Sequence, residues 1–390
     1  MTNLSALATH RFLLRAALAA GTVFAWILIY HALYFSGESK TGALVVTTFL
    51  YIISQVLTFI LTPLSAQNLG HGTQRSILYA TLAISVAYLW LAASSAGVFG
   101  PDVENLWWGI VGFAILTGVY RAFYWIPYRA SSAPSTVPGT TFLLEVFLAL
   151  LPLSASIVIT GYPGGAWVML VGVATLAFLA SIPLTAVSEA YEPYAWTYGQ
   201  TLQQLFSPIN RGLFAASIRD GIQGAGLLFL WPLTIFLLLD WSYELLGLVM
   251  TVTLLLTVFG RKIVRTLLRV LDVHRSAPVT AAFAASSWIL RLAVISPTTI
   301  VIADVLYHTC VPTKKFGIDH IAHEQAADGS HFVDERTALK EMGFATGRAL
   351  LALIVMVFAF YASPLIALGG ALFVSALASI VSIMRSASVR

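Results

Sequence analysis

Apolar stretches, each long enough to cross a lipid bilayer, follow one another from Ala16 to Ile383 with mostly short polar turns between them. Nothing else in the chain restricts its fold as tightly. A hydrocarbon core about 30 Å thick takes roughly 20 helical residues to span. Lipid supplies no partner for an unpaired backbone amide, so the spanning form must be helical. Since 58% of the 390 residues are hydrophobic and 10% are charged, no long hydrophilic segment remains to house a soluble enzyme. The expected fold class is an all-α polytopic membrane protein with about twelve transmembrane helices.

The predicted spans cover residues 16 to 35, 42 to 64, 76 to 98, 106 to 126, 139 to 160, 166 to 186, 212 to 239, 243 to 260, 276 to 294, 297 to 313, 342 to 361 and 364 to 384. On this count the chain ends and every second loop share one side. That side holds Arg11, Arg15, Arg75, Arg129, Arg211, Arg261, Lys262, Arg265, Arg269, Arg275, Lys314, Lys315, Arg336, Lys340, Arg385 and Arg390, and the other side only Lys40. Lys and Arg collect in cytoplasmic loops, which predicts a plasma or inner membrane protein with both termini cytoplasmic. The net charge of +4 is therefore an orientation signal and not a footprint for nucleic acid. Arg11 and Arg15 ahead of an apolar run have the charge order of a signal peptide. The run continues through Trp26 to Leu33, however, well past the roughly 7 to 15 residues of such a segment, and it reads as a retained first span.

Residues 188 to 210 contain Tyr191, Tyr194, Trp196, Tyr198, Leu202 and Phe206, a pattern suited to a helix or loop lying along the inner membrane surface. This segment divides the chain into a first six-helix bundle, 1 to 187, a cytoplasmic central loop, 188 to 210, and a second six-helix bundle, 211 to 390. A short repeat agrees with that division. Tyr124-Trp125-Ile126-Pro127-Tyr128-Arg129 closes the fourth span and Thr309-Cys310-Val311-Pro312-Thr313-Lys314 the tenth, where a proline followed by a cation can end a helix at the headgroups.

Two sets of six spans joined by a cytoplasmic loop resemble the major facilitator superfamily of secondary transporters. Between spans two and three that family commonly carries a glycine, three residues, an aspartate, and then a glycine followed by basic residues. Here the run is Pro63-Leu64-Ser65-Ala66-Gln67-Asn68-Leu69-Gly70-His71-Gly72, with Arg75 following. Gly70 fits the pattern, whereas Pro63 and Gln67 replace the first glycine and the carboxylate. Gly260-Arg261-Lys262 occupies the equivalent loop of the second half, and Glu335-Arg336 with Gly347-Arg348 resembles the entrance to span eleven in some members. The resemblance implies two bundles rocking about a central cavity that opens alternately to each side. Gly221, Gly224, Gly226 and Pro232 in the seventh span, and Gly369 and Gly370 in the twelfth, permit the close contact and bending such motion needs.

Ionisable groups within the bilayer cost about 2.5 to 3.5 kcal/mol each on insertion scales, so each should face protein or water. The candidates are Arg121, Glu145, Arg219, Asp220, Arg291, Asp304 and His308. Arg121, Glu145 and Asp220 fall at one inner depth, where Arg121 is expected to pair with Glu145 or Asp220, either as a static clasp or as a pairing that changes during transport. Asp304 and His308, four residues apart, share a helical face; a desolvated carboxylate beside an imidazole can carry a coupling proton or can simply be a satisfied polar contact. Gln55, Tyr124, Gln223 and Trp231 are further substrate or coupling candidates, beside His31, Tyr34 and Tyr120, which also suit helix packing or an interfacial belt.

No cofactor is implied. Asp319, His320, His323, Glu324, Asp328 and His331 have no recognised zinc spacing and read as a hydrated loop. Gly161-Tyr162-Pro163-Gly164-Gly165 lacks the lysine of a phosphate loop. The expected function is secondary active transport of a small molecule or ion, coupled to protons. An intramembrane lipid-modifying enzyme and a non-transporting receptor or scaffold are the alternatives.

Overall fold

Hydropathy alone predicts where helices lie but not which of their faces is hidden. A computed structural model of the chain, which describes residues 3–100, 103–131, 142–191, 193–270, 277–310 and 334–388, supplies the faces. Its helices are α1 (Asn3–Phe35), α2 (Lys40–Gln67), α3 (Thr73–Ser95), α4 (Val103–Ser131), α5 (Phe142–Gly161), α6 (Gly165–Ser181), α7 (Tyr198–Leu205), α8 (Arg211–Ala225), α9 (Trp231–Leu238), α10 (Tyr243–Val270), α11 (Ala277–Leu292), α12 (Pro297–Cys310), α13 (Asp334–Tyr361) and α14 (Pro364–Ser388). A π-helical segment, Gly226–Leu230, joins α8 to α9. Among the described residues ten helical stretches are long and apolar enough to cross a membrane, α8 to α9 counting as one. The shorter α11 and α12, of 16 and 14 residues, stand where the ninth and tenth spans were expected.

Helix α2 shows how sequence chooses the faces. Thr47, Ser54, Gln55, Thr58 and Thr62 are buried, while Phe49, Val56 and Ile60 are exposed, the reverse of a soluble helix. Its threonine hydroxyls bond back to carbonyls four residues earlier, as Thr58 does to Ser54 at 2.8 Å and Thr62 to Thr58 at 2.7 Å, so they can be buried without an unmet donor. Ser39 caps the helix by accepting from the Gly42 amide at 2.9 Å.

The seventh span bends where the sequence places Gly226 and Pro232. Proline has no amide to offer the carbonyl four residues back, and the backbone answers with the π-turn of Gly226–Leu230. Close approach elsewhere rests on glycines of α8 and α13. A Cβ at Gly221 would stand 2.4 Å from the Phe344 carbonyl oxygen, and one at Gly347 would stand 2.1 Å from that of Ile218. This small-residue contact packs helices when lipid removes the hydrophobic drive.

The pairing of helices repeats. Within the first set α3 packs on α4, α2 on α4, α3 on α6, α1 on α6, α5 on α6 and α1 on α5. Moving six spans on gives α11 on α12, α10 on α12, α11 on α14, α8 on α14, α13 on α14 and α8 on α13, and each of these contacts is present. The two main contacts across the halves, α2 with α13 and α5 with α10, exchange under the same shift. Two six-helix bundles are thus arranged about a pseudo-twofold axis.

Two expectations change. Helix α1 begins well before residue 16, and Arg15, expected in a flanking loop, is 4% exposed within it. Pro127 does not end α4, which continues to Ser131; a proline in the last turn removes one hydrogen bond without preventing the next. The segment 188 to 210 carries a short helix, α7, started by a capping box between Thr197 and Gln200. Pro312 and the histidine-bearing stretch from Asp319 to His331 lie outside the described residues.

Candidate functional site

The bundles meet at three levels. At the end bearing the α2–α3 turn, Ala66, Leu69, Ile126 and Ala338 form a small cluster against Tyr194 of the central segment. Gln67, at the position of the family's carboxylate, donates to the Trp196 carbonyl at 3.5 Å. Beside it Glu189 accepts from the amides of Gln74 at 3.1 Å and Arg75 at 3.3 Å, closing the open start of α3. At the opposite end His31 Nδ1 and the Tyr243 hydroxyl lie 2.8 Å apart. Trp241 packs there on Tyr34 and Tyr30 with centroids at 4.7 and 5.3 Å. Asp240 and Trp241 turn the chain with φ of 51° and 67°, a region that costs a non-glycine residue about 1 to 2 kcal/mol.

Midway, the π segment pushes Phe229 into the first bundle. Its ring stacks on Tyr51 at 4.1 Å and 2° and meets the edge of Trp26 at 5.6 Å. What remains between the bundles is a cavity of about 30 Å³, room for a few waters. Arg121, Thr117, Tyr120 and Tyr88 supply its polar wall.

The flanks of that segment hold a buried charge network in the second bundle. Arg291 donates to Asp304 Oδ1 at 2.8 Å from Nε and also reaches it at 2.8 Å from Nη2. Trp231 Nε1 donates to Asp304 Oδ2 at 2.9 Å. The guanidinium lies among the rings of Tyr307, Trp288 and Trp231, at 4.5, 4.7 and 5.4 Å from their centroids, so cation–π attraction replaces part of its hydration. Gln223 donates to the Tyr307 hydroxyl. Of the sequence candidates, Gln223, Trp231, Arg291 and Asp304 therefore belong to one constellation. His308 is half-buried with its ring edge-on to Tyr307, while the carboxylate of Asp304 is taken up by Arg291 and Trp231.

The other candidates are spread out. Asp220 accepts from Ser382 at 2.8 Å, with the charges of Arg219 and Lys340 nearby. Glu145 lines a crevice between α1, α5 and α10 together with Arg15. Tyr124 is fully buried, 3.1 Å from His10 Nε2, and His10 Nδ1 donates to the Ala180 carbonyl at 2.7 Å. Gln55 is fully buried with neither amide atom hydrogen-bonded. His10, Arg15, Phe229, Glu341 and Arg348 were not among the sequence candidates; Glu341 and Arg348 are each 4% exposed on α13. Arg348 lies about 21 Å along α13 at 1.5 Å per residue, a depth that could have flagged it. Among the described residues no group of three or more His, Cys, Asp or Glu side chains is placed to hold a metal ion.

No protein-family model matches the chain, and no curated protein matches it. Solved structures do. A POT family transporter in complex with 5-aminolevulinic acid superposes with a TM-score of 0.61 at 12% identity, covering 98% of this chain and 94% of the other. The peptide transporter POT in complex with sulfate gives 0.62 at 14% identity, over 99% and 94%. A bacterial homologue of the iron transporter ferroportin, in its inward-facing state, gives 0.63 at 13% identity, over 99% and 98%. These likenesses establish the major facilitator fold across nearly the whole chain.

Proposed function

We propose that this chain is a secondary active transporter, moving a small solute across a plasma or inner membrane by alternating access with both termini cytoplasmic. Residues 1 to 187 and 211 to 390 act as the two rocking bundles, and 188 to 210 link them on the cytoplasmic side. The observation that carries this reading is the packing of two matching six-helix sets through α2–α13 and α5–α10, with a cavity walled by α1 to α4 of the first set and by Leu228 and Phe229 of the second. Rocking of one set of helices against the other across those two contacts would open the cavity to each side in turn.

The coupling ion in this reading is a proton, and Asp304 is its carrier. Protonation would remove the carboxylate charge that holds Arg291 and the acceptor that holds Trp231, loosening α9 from α11 and α12. Because Phe229 and Trp231 flank one another along the bent span, that release reaches the cavity wall directly. The fold shared with known transporters supports the reading, as does the burial of the pair within protein, where lipid makes stray charges costly.

Proteoliposomes containing only the purified chain test it. Solute uptake or efflux driven by an imposed pH gradient is the expected result, with Asp304→Asn retaining solute exchange but losing gradient-driven accumulation. Liposomes that move no solute in a broad panel, or an Asp304→Asn variant that still accumulates solute against its gradient, would contradict transport and coupling respectively.

A further inference from the structure

The cavity between the bundles is chemically one-sided. Arg121 is its cation, and among the described residues no carboxylate lines it. The charge of Arg121 acts on the Tyr88 phenol, which is itself buried. Thr117 is 6% exposed, lines the same space, and its hydroxyl has no hydrogen-bond partner. A buried hydroxyl left unmet costs about 1 to 3 kcal/mol, a debt that an anion or a water in the cavity would settle. The remaining wall mixes Leu18, Ile84 and Leu228 with the rings of Trp26, Tyr51 and Phe113, and Tyr51 presents a face to Phe229.

That aromatic slot is filled by the protein itself. Phe229 lies flat on Tyr51, in a parallel stack at 4.1 Å, because the π segment thrusts it across the bundle boundary. A planar ring is thus held where a solute would have to sit, beside the cation and the unmet hydroxyl. With Phe229 in place the cavity of about 30 Å³ has room for a few waters and none for a second ring against Tyr51, so a flat solute takes that place only by displacing Phe229.

We propose that the cavity binds an organic anion with a flat apolar body, its carboxylate meeting Arg121 and Thr117 and its ring taking the place of Phe229 against Tyr51. The proposal deepens the transport reading and rests on it for the route by which the anion arrives. Arg pairs a carboxylate through two parallel hydrogen bonds where Lys offers only a point charge. Aromatic stacking then holds the body of the solute without further polar contacts. Phe229 is a built-in competitor: its withdrawal admits the solute, and its return expels it.

Thermal unfolding of the purified full chain in detergent, with Trp fluorescence as a second readout, tests this with benzoate and cinnamate against benzamide, cinnamamide and benzylamine. The carboxylates are expected to raise the unfolding temperature, and the isosteric amides and the amine to leave it unchanged. Arg121→Gln should weaken carboxylate binding roughly tenfold to a hundredfold, Arg121→Lys less, and Phe229→Ala should tighten it several-fold by vacating the slot. Equal stabilisation by acid and amide, a preference for the amine, or no response to either carboxylate overturns the proposal. So does an Arg121→Gln variant that binds benzoate like the parent. The acid-against-amide comparison needs no variant and decides even if Arg121→Gln fails to fold. Benzoate binding without flux of any solute in proteoliposomes would retain the anion site and remove the transport reading, whereas flux of another solute with no carboxylate response would do the opposite.

Discussion

Arg291 on α11 and Asp304 on α12 form one charge pair, with Nε and Nη2 of the guanidinium both 2.8 Å from Oδ1. Thirteen positions separate them, spanned by the break at Ser296 and Pro297 that turns the chain back on itself. Their side chains are 0% and 4% exposed, so in this state the two ions face each other and not water.

Removing one partner of such a pair strands the other. Asp304→Ala should destabilise the protein by about 3 to 5 kcal/mol, whereas the combined Arg291→Met and Asp304→Leu variant should recover most of that loss, because apolar residues of similar volume replace a buried pair at little cost. Thermal unfolding in detergent measures both. A double variant no more stable than the single one would show that Arg291 is held by its aromatic cage and not by the carboxylate.

Glu189 belongs to the central segment, yet it serves α3. Its carboxylate accepts from the Gln74 and Arg75 amides at the helix start, where the macrodipole also favours negative charge. Glu189→Ala should cost about 1 kcal/mol, and its effect should be local: faster hydrogen exchange in the first turn of α3 and in the α2–α3 turn, with α10 unchanged. Uniformly faster exchange would mean that the residue acts on the whole fold.

These two cases mark how far the sequence could be read. The bend near Gly226 and Pro232 and most of the spans follow from hydropathy and local stereochemistry, and ten of the twelve expected spans meet helices long and apolar enough to cross a membrane among the described residues. Depth is legible too: Arg291 and Asp304 stand out as charges too costly to lie against lipid. Azimuth is not. Spacing along α12 places His308 on the same face as Asp304, but only the packing of α11 on α12 reveals that Arg291 arrives from the side and takes the carboxylate. Arg15 was hidden by its closeness to the chain start, where a cation reads as a flank. Phe229 was hidden by its ordinariness, since nothing distinguishes it from its apolar neighbours until a π-turn rotates it across the boundary between the bundles.

The glycines of α8 and α13 give a sharper contrast. A Cβ at Gly347 would lie 2.1 Å from the Ile218 carbonyl oxygen, so Gly347→Ala must push the two helices apart. The expected loss is about 1 to 3 kcal/mol. Gly369 on α14 has nothing within 4 Å of such a Cβ, and Gly369→Ala should instead gain up to about 1 kcal/mol of helix propensity. Unfolding temperatures of the pair decide; equal shifts would place the α8–α13 contact farther apart than described.

The contact of His31 with Tyr243 fastens α1 to α10 across the two bundles, at the end away from the α2–α3 turn. Around it, His31 packs edge-on to Phe236 at 5.7 Å and Tyr34 lies on Trp241, so the hydrogen bond adds direction to an otherwise apolar seal. Tyr243→Phe keeps the ring and removes the hydroxyl, which should weaken closure by about 1 kcal/mol and raise the open population roughly fivefold. The readout is the rate at which a water-soluble maleimide labels Thr22→Cys in a Cys310→Ser background, since Thr22 lines the central cavity. Labelling several-fold faster in Tyr243→Phe, with the unfolding temperature lowered only slightly, is expected if this end is a gate. An unchanged rate beside a normal unfolding temperature would mean that the aromatic packing alone seals it, and that the hydroxyl bond forms after closure instead of holding it.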